Sequence, residues 1–217
     1  MIDGDELGRF GEPGGVGEPG VGEDGVEVPG KPQWRALILA RRKAVPADVR
    51  EREAAALAAA TATIEARTVC AYVPVGGEPG SLAMLDALRA AGARVLLPVT
   101  GEPGPLKWAE YTGPEHLRRG RFGLREPDGE TISDALSSAE VILVPALAVD
   151  RRGVRLGRGA GYYDRSLSEC RADARLVAVV RDDELVHHLP EEAHDHRMGW
   201  VLTPSGGLRK LEEQSGN

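Results

Sequence analysis

Between Val144 and Asp164 the chain reads Val-Pro-Ala-Leu-Ala-Val-Asp-Arg-Arg-Gly-Val-Arg-Leu-Gly-Arg-Gly-Ala-Gly-Tyr-Tyr-Asp. Three alternating glycines (Gly157, Gly159, Gly161), two arginines (Arg155, Arg158) and a carboxylate (Asp164) thus lie between an apolar strand and an expected helix. These are the residue types of a polyphosphate site. Glycine lets backbone N–H groups approach an anion closely, a helix N-terminus favours negative charge, and arginine offers a planar fork of donors to phosphate oxygens. Asp164 supplies hard oxygen donors for the magnesium that accompanies phosphates. The spacing is not that of Walker A, since no Lys-Ser or Lys-Thr is present, nor of a dinucleotide fingerprint, since the third position is Tyr162. A bare Gly-x-Gly-x-Gly also suits a flexible turn. The flanking Arg155, Arg158, Tyr162, Tyr163 and Asp164 favour the anion site over that turn.

Elements that would position this loop alternate between helix and strand. Helices are expected over 34–43, 47–65, 82–91 (stopped by Gly92), 132–139 and 161–170. Strands are expected over 69–73, 94–98, 106–111, 141–144, 176–180 and 200–202. Such alternation predicts an α/β fold with a mainly parallel sheet and helices on both faces, and ligands at the carboxyl ends of the strands. The loops after Val73 and Val144 fall on such ends and are expected to face one cleft.

At 217 residues and 41% hydrophobic content the chain can bury one good core. Residues 1 to 30 hold eight acidic residues against one arginine, together with ten glycines and three prolines, whereas residues 31 to 217 carry 26 charges of each sign. The acidity belongs to the tail, which is expected to be disordered for want of apolar residues. A single domain is expected over 31–210 and a flexible C-terminus over 211–217. No lysine-rich run points to nucleic acid, and neither a signal peptide nor a membrane span is apparent. Cys70 and Cys170 read as a buried small side chain and a helix-surface thiol of a cytoplasmic protein rather than a disulfide. The histidines at 187, 188, 194 and 196 lack zincin spacing and read as solvated loop residues. Trp34, Trp108 and Trp200 read as core or rim residues. Lys31 and Arg35, taken alone, fit a solvated helix start as well as a ligand site.

The run from Arg155 to Asp164 closely resembles the signature of the 5-formyltetrahydrofolate cyclo-ligase (methenyltetrahydrofolate synthetase) family. Further pieces follow in the order of that family: Lys31-Pro-Gln-Trp-Arg35, Tyr72 through Glu78-Pro-Gly-Ser81, Phe122-Gly-Leu-Arg-Glu126-Pro127, Val144 through Asp150, and Leu189-Pro190 through His194-Asp195. The resemblance covers about residues 31 to 205 and implies a Rossmann-like three-layer cyclo-ligase fold.

The implied reaction is cyclisation of 5-formyltetrahydrofolate to 5,10-methenyltetrahydrofolate, with ATP cleaved to ADP and phosphate through a phosphorylated formyl intermediate, in a cytoplasmic monomer. ATP would be held by Lys31, Arg35 and the loop Arg155, Leu156, Gly157, Arg158, Gly159, Ala160, Gly161, Tyr162 and Tyr163. Folate would meet Val73, Glu78, Arg158 and Tyr162, with Arg158 and Tyr162 at the reacting groups. Asp164 and Asp195 would hold magnesium, although Asp195 by itself reads as a turn residue. The chain departs from the family pattern at Ala160, often Gly or Lys, at Glu184, often Gln, and at Pro79-Gly80. Two other classes stay open: a noncatalytic folate-binding relative, which would lose the phosphate or magnesium residues, and another ATP or sugar-phosphate enzyme, which would lack Glu78 and the Gly-x-x-Glu-Pro element.

Overall fold

The computed structural model describes residues 29–100, 104–120 and 123–211. The expected acidic tail, except Pro29 and Gly30, lies outside these residues, as do Phe122 of the Gly-x-x-Glu-Pro element and the expected flexible C-terminus beyond Leu211.

The first helix, α1 (Lys31–Ala44), has Pro32 in its first turn and Arg41, Arg42 and Lys43 in its last, where cations complement the helix dipole. Val45, restricted to extended geometry by the proline that follows, ends it. The alanine-rich α2 (Ala47–Thr61) follows, then β1 (Thr68–Cys70) and α3 (Leu82–Ala90), whose Ser81 cap accepts from Ala83 N–H. Next come β2 (Arg94–Val99), β3 (Lys107–Glu110), β4 (Leu117–Arg119), β5 (Arg125–Pro127), β6 (Thr131–Ile132) and α4 (Ala135–Ser138). The glycine-loop region contains β7 (Val141–Pro145), β8 (Ala148–Asp150), β9 (Arg155–Leu156) and α5 (Tyr162–Ser166). The chain continues through β10 (Arg175–Val179), β11 (Leu185–Val186), β12 (Trp200–Thr203) and β13 (Gly207–Lys210).

Among the described residues an eight-stranded sheet has the order β13-β12-β10-β7-β1-β2-β3-β6. The pairings β12–β10, β10–β7, β7–β1 and β1–β2 are parallel, whereas β2–β3, β3–β6 and β12–β13 are antiparallel. The sheet is therefore mixed, not mainly parallel as the helix–strand alternation predicts. The reason is local: β12 and β13 are separated only by residues 204–206, and only residues 100–106 separate β2 from β3, fewer than a parallel crossover needs.

Successive residues of β7 face opposite layers, Val141 and Leu143 joining one apolar cluster and Ile142 and Val144 another. Leu57 of α2 and Met84, Leu85 and Leu88 of α3 cover the first; Ala135 and Leu136 of α4 and Leu167 cover the second. A strand buried on both faces reads as an unbroken apolar run, as β7 does. A third cluster joins Ile38 of α1, with Trp34 against it, to Leu147, Ala148, Val154, Leu156 and Leu189. It fixes α1 beside the β8–β9 hairpin.

Several elements differ from their sequence-based expectations. Residues 132–139 do not form one helix, because Ile132 pairs with Trp108 at the sheet edge and only Ala135–Ser138 is helical. The helix expected over 161–170 is the five-residue α5 followed by a 3-10 turn at Leu167–Glu169. Buried Ser166 donates its hydroxyl to Tyr162 O at 2.7 Å and accepts Leu106 N–H at 2.8 Å, which ties the helix end to a neighbouring loop. The helix expected over 47–65 ends at Thr61, whose buried hydroxyl donates to Ala58 O. Among the described residues, no helix is long and apolar enough to cross a membrane.

Candidate active site

The expected site residues gather in two places: Lys31, Arg35, Asp164, Asp195 and most of the glycine loop line one cleft, and Arg158 meets Glu78 on the loop after β1. Lys31, Arg35, Ile38 and Arg42 recur at helical spacing and form one stripe of α1. At its start Lys31 Nζ contacts the two Asp195 oxygens at 3.0 and 2.8 Å, and Glu192 at 3.1 Å. One turn on, Arg35 Nε donates to Gly157 O at 3.0 Å. At the far end Arg42 is buried, donating to both Glu184 oxygens at 2.6 and 2.8 Å and to Ala146 O at 2.7 Å. Arg42 and Glu184 were not among the expected site residues. The stripe from Lys31 through Arg35 was the signal for Arg42, whereas Glu184 had none but its departure from the family pattern.

The glycine loop leaves β9 through Leu156, which is buried in the third cluster. Gly159 and Gly161 have φ of 101° and 67°, in the left-handed region where a side chain is strained. A Cβ on Gly159 would also meet the Arg35 guanidinium at 3.4 Å. Ala160 is exposed, and its carbonyl accepts from Arg165 Nη2 at 3.0 Å. Buried Arg155 donates from Nη2 to Asp164 Oδ1 at 2.6 Å and from Nη1 to Pro145 O at 3.4 Å; its guanidinium lies 5.9 Å from the Tyr163 ring centroid. Tyr163 meets Trp108 edge-on, with ring centroids 6.5 Å apart, so Trp108 is a core residue that supports the loop. Among the described residues the buried Tyr163 hydroxyl has no hydrogen-bond partner, and burial, followed by the Glu78 charge, holds its pKa far above that of a free tyrosine. Tyr162, half-buried, stacks under Arg165 at 5.2 Å.

Two loops meet at Glu78. Its Oε2 accepts Val75 N–H at 3.0 Å and its own N–H donates to Val75 O at 3.1 Å, closing a turn. Its Oε1 accepts Arg158 Nε at 3.1 Å, with the Glu78 side chain 9% exposed and that of Arg158 48%. Buried Tyr72 donates its hydroxyl to Pro79 O at 3.1 Å and steadies the same loop. Val73, at the loop's start, is half-buried against the first cluster.

Lys31, Arg35, Arg155, Asp164 and Asp195 line one cleft, which Glu192 and His194 share. The ligand atoms of Glu192, His194 and Asp195 lie within 4.8 Å of one another, so His194, read from sequence as a solvated loop residue, stands at the cleft. Burial pushes the Asp195 carboxyl up, but the Lys31 hydrogen bond, the Glu192 N–H and nearby positive charge outweigh it and hold the pKa below 3.8. Because α5 spans only five residues, its dipole is small beside these cationic side chains. The side chains of Lys31, Arg35 and Arg155 therefore supply more of the cleft's positive charge than the helix terminus that the sequence suggests.

The sequence profile of the 5-formyltetrahydrofolate cyclo-ligase family matches residues 27–204. The chain belongs to this family. It is 53% identical over 189 residues to the 5-formyltetrahydrofolate cyclo-ligase of Mycolicibacterium smegmatis, covering 83% of this chain and 97% of that protein. The Escherichia coli K12 cyclo-ligase is 33% identical over 147 residues, which cover 65% of this chain and 80% of that protein. The solution structure of Aquifex aeolicus 5,10-methenyltetrahydrofolate synthetase superposes with a TM-score of 0.71 at 26% identity, covering 86% of this chain and 94% of that one. The Mycoplasma pneumoniae synthetase, at 16% identity and a TM-score of 0.64 over 79% of this chain and 96% of that one, shares the fold.

Proposed function

We propose that the chain catalyses the ATP- and magnesium-dependent cyclisation of 5-formyltetrahydrofolate to 5,10-methenyltetrahydrofolate, with release of ADP and phosphate. A formamide carbon is a poor electrophile because the nitrogen lone pair is shared with its oxygen. Attack of that oxygen on the terminal phosphorus of ATP expels ADP and turns the oxygen into part of a leaving group. The second folate nitrogen then bonds to the activated carbon, and phosphate departs with the former formyl oxygen. The protein's share is placement and charge neutralisation.

The observation that carries this reading is the contact between Arg158 and Glu78, which joins the glycine loop to the loop after β1. A nucleotide on the first loop and a pterin on the second would have their reacting groups side by side. Lys31, Arg35, Arg155 and the N–H groups of the glycine loop would take the phosphates, with Leu156, Gly157, Gly159, Ala160, Gly161 and Tyr163 forming the cradle. Glu78 would accept the paired N–H groups of a pterin edge, Val73 would flank it, and Arg158 and Tyr162 would border both ligands. Asp164 and Asp195 offer carboxylate oxygens in the cleft that holds Lys31 and Arg155, a donor set that suits magnesium. Bound there, the ion would neutralise phosphate charge. The unbridged Cys70 and Cys170 accord with a cytoplasmic setting, and the reading requires only a monomer.

The test is isotopic. With ¹⁸O in the formyl group, the label should appear in the released phosphate. Label lost to water, with unlabelled phosphate formed at the same rate as product, would exclude phosphorylation of the formyl oxygen.

A further inference from the structure

Asp150 lies on β8, outside the expected ligand contacts, yet its carboxyl group is fully buried. Its Oδ1 accepts the N–H groups of Arg152 and Val154, both at 2.9 Å. Its Oδ2 accepts Arg152 Nε at 3.0 Å, Arg152 Nη2 at 2.8 Å and Leu189 N–H at 3.1 Å. Arg152 Nη2 also donates to Leu189 O at 2.9 Å. Nearby, Met198 N–H donates to Gly153 O at 2.8 Å. Gly153 has φ of 89°, and a Cβ there would stand 2.2 Å from Met198 O, so the turn accepts only glycine at this contact.

Both ends of the segment from Leu189 to Met198 are therefore fastened to one turn, Asp150–Gly153. That segment carries Glu192, His194 and Asp195 into the cleft. The same turn runs directly into Arg155 and the glycine loop. Glu78, by contrast, sits on the separate loop after β1 and gains nothing from this fastening.

We infer that Asp150 is a positioning residue for the nucleotide half of the site. It sets the Lys31–Asp195 pair against the Arg155–Asp164 pair, and so tunes affinity for a magnesium-bound nucleoside triphosphate while touching neither ligand. The inference rests on the proposed function. A purely structural staple would lower stability or weaken both ligands together; a positioning residue weakens one.

The experiment is isothermal titration of the full chain and of Asp150→Asn, at a temperature where circular dichroism shows both folded. Asn keeps an acceptor for two N–H groups but sets a donor against the Leu189 N–H and the Arg152 guanidinium. Its Kd for magnesium-ATP should rise about tenfold, the low end of what loss of supporting hydrogen bonds costs a metal site. Its Kd for 5-formyltetrahydrofolate should stay within about twofold, as for distant sites that do not couple. Arg152→Ala should show the same split at smaller size. Equal losses for both ligands, or an unaltered magnesium-ATP affinity, would overturn the inference. Should Asp150→Asn not fold, hydrogen exchange on the unaltered protein decides: the Val154, Leu189 and Met198 amides should gain protection with magnesium-ATP but not with folate. Unchanged protection would refute the coupling. If the unaltered protein binds no magnesium-ATP at all, the proposed function fails as well.

Discussion

Lys31, assigned here to phosphate, is engaged by carboxylates in the free protein: Asp195 at 3.0 and 2.8 Å and Glu192 at 3.1 Å. Ligand binding would then be an exchange of partners, in which magnesium draws the carboxylates while phosphate takes the ammonium. Asp195→Asn should therefore act in opposite directions on the two forms of the nucleotide. A hydrogen bond to a charged group contributes about 1.5–3 kcal/mol. Glu192 remains to hold Lys31, with a half-exposed side chain, so the ammonium recovers only part of that, about 1 kcal/mol after solvent screening. Metal-free ATP should bind roughly fivefold more tightly to the variant. Magnesium-ATP should bind about tenfold more weakly, because a charged oxygen ligand is lost. Calorimetric titrations in EDTA and in excess magnesium give the two constants. A variant that binds metal-free ATP more weakly than the unaltered protein, or magnesium-ATP equally well, would refute the exchange. The pH dependence has a definite sign. Since the folded Asp195 value lies below the ordinary 3.8, the pair's contribution to stability is present above that value and is lost as pH falls through the lowered one. The stability difference between the two proteins should persist at neutral pH and close only in that acid range.

Three further outcomes are expected. Glu78→Gln sets N–H against N–H at the pterin edge and should weaken folate by about 2 kcal/mol, with ATP affinity nearly unchanged; equal weakening of both in titrations would remove Glu78 from the pterin. Glu184→Gln breaks the buried pair with Arg42 and should cost about 3 kcal/mol, lowering Tm by roughly 10 °C; an unchanged thermal melt would show that the pair contributes no net stability. Deleting residues 1 to 30 should leave Tm and turnover nearly the same, since that segment has little apolar surface to bury; a large loss of either would mean that it packs on the body.

What was legible in the sequence follows from the range of the interactions. The glycine loop is local: Arg155 and Asp164 are near in sequence and pair directly, and Gly159 and Gly161 adopt the backbone only glycine accepts easily. The α1 stripe is only half legible, since the sequence marks Lys31 and Arg35 but not Arg42, further along the same face. Its partner Glu184 lies 142 positions away, beyond the reach of any periodicity. Asp195 was reached only through family resemblance, because a carboxylate in a loop carries no local mark of the lysine it meets. Short strands such as β8, β9 and β11, at two or three residues each, are too brief to display alternation. The antiparallel sheet edges are not legible because strand–helix alternation describes the interior of such a sheet and not its flanks. The sequence predicts a longer α5 because Ser166 is helix-compatible; in the fold its hydroxyl bonds back to Tyr162 O and accepts Leu106 N–H from a neighbouring loop, and the helix ends there.

The central claim, that the glycine-loop cleft and the Glu78 loop serve one cyclisation, is tested most directly by optical absorbance. Purified protein mixed with 5-formyltetrahydrofolate, ATP and magnesium should generate the methenyl-folate band, and omission of any one component should abolish it. Folded protein that binds ATP and folate yet yields no methenyl-folate with all three present would contradict the account.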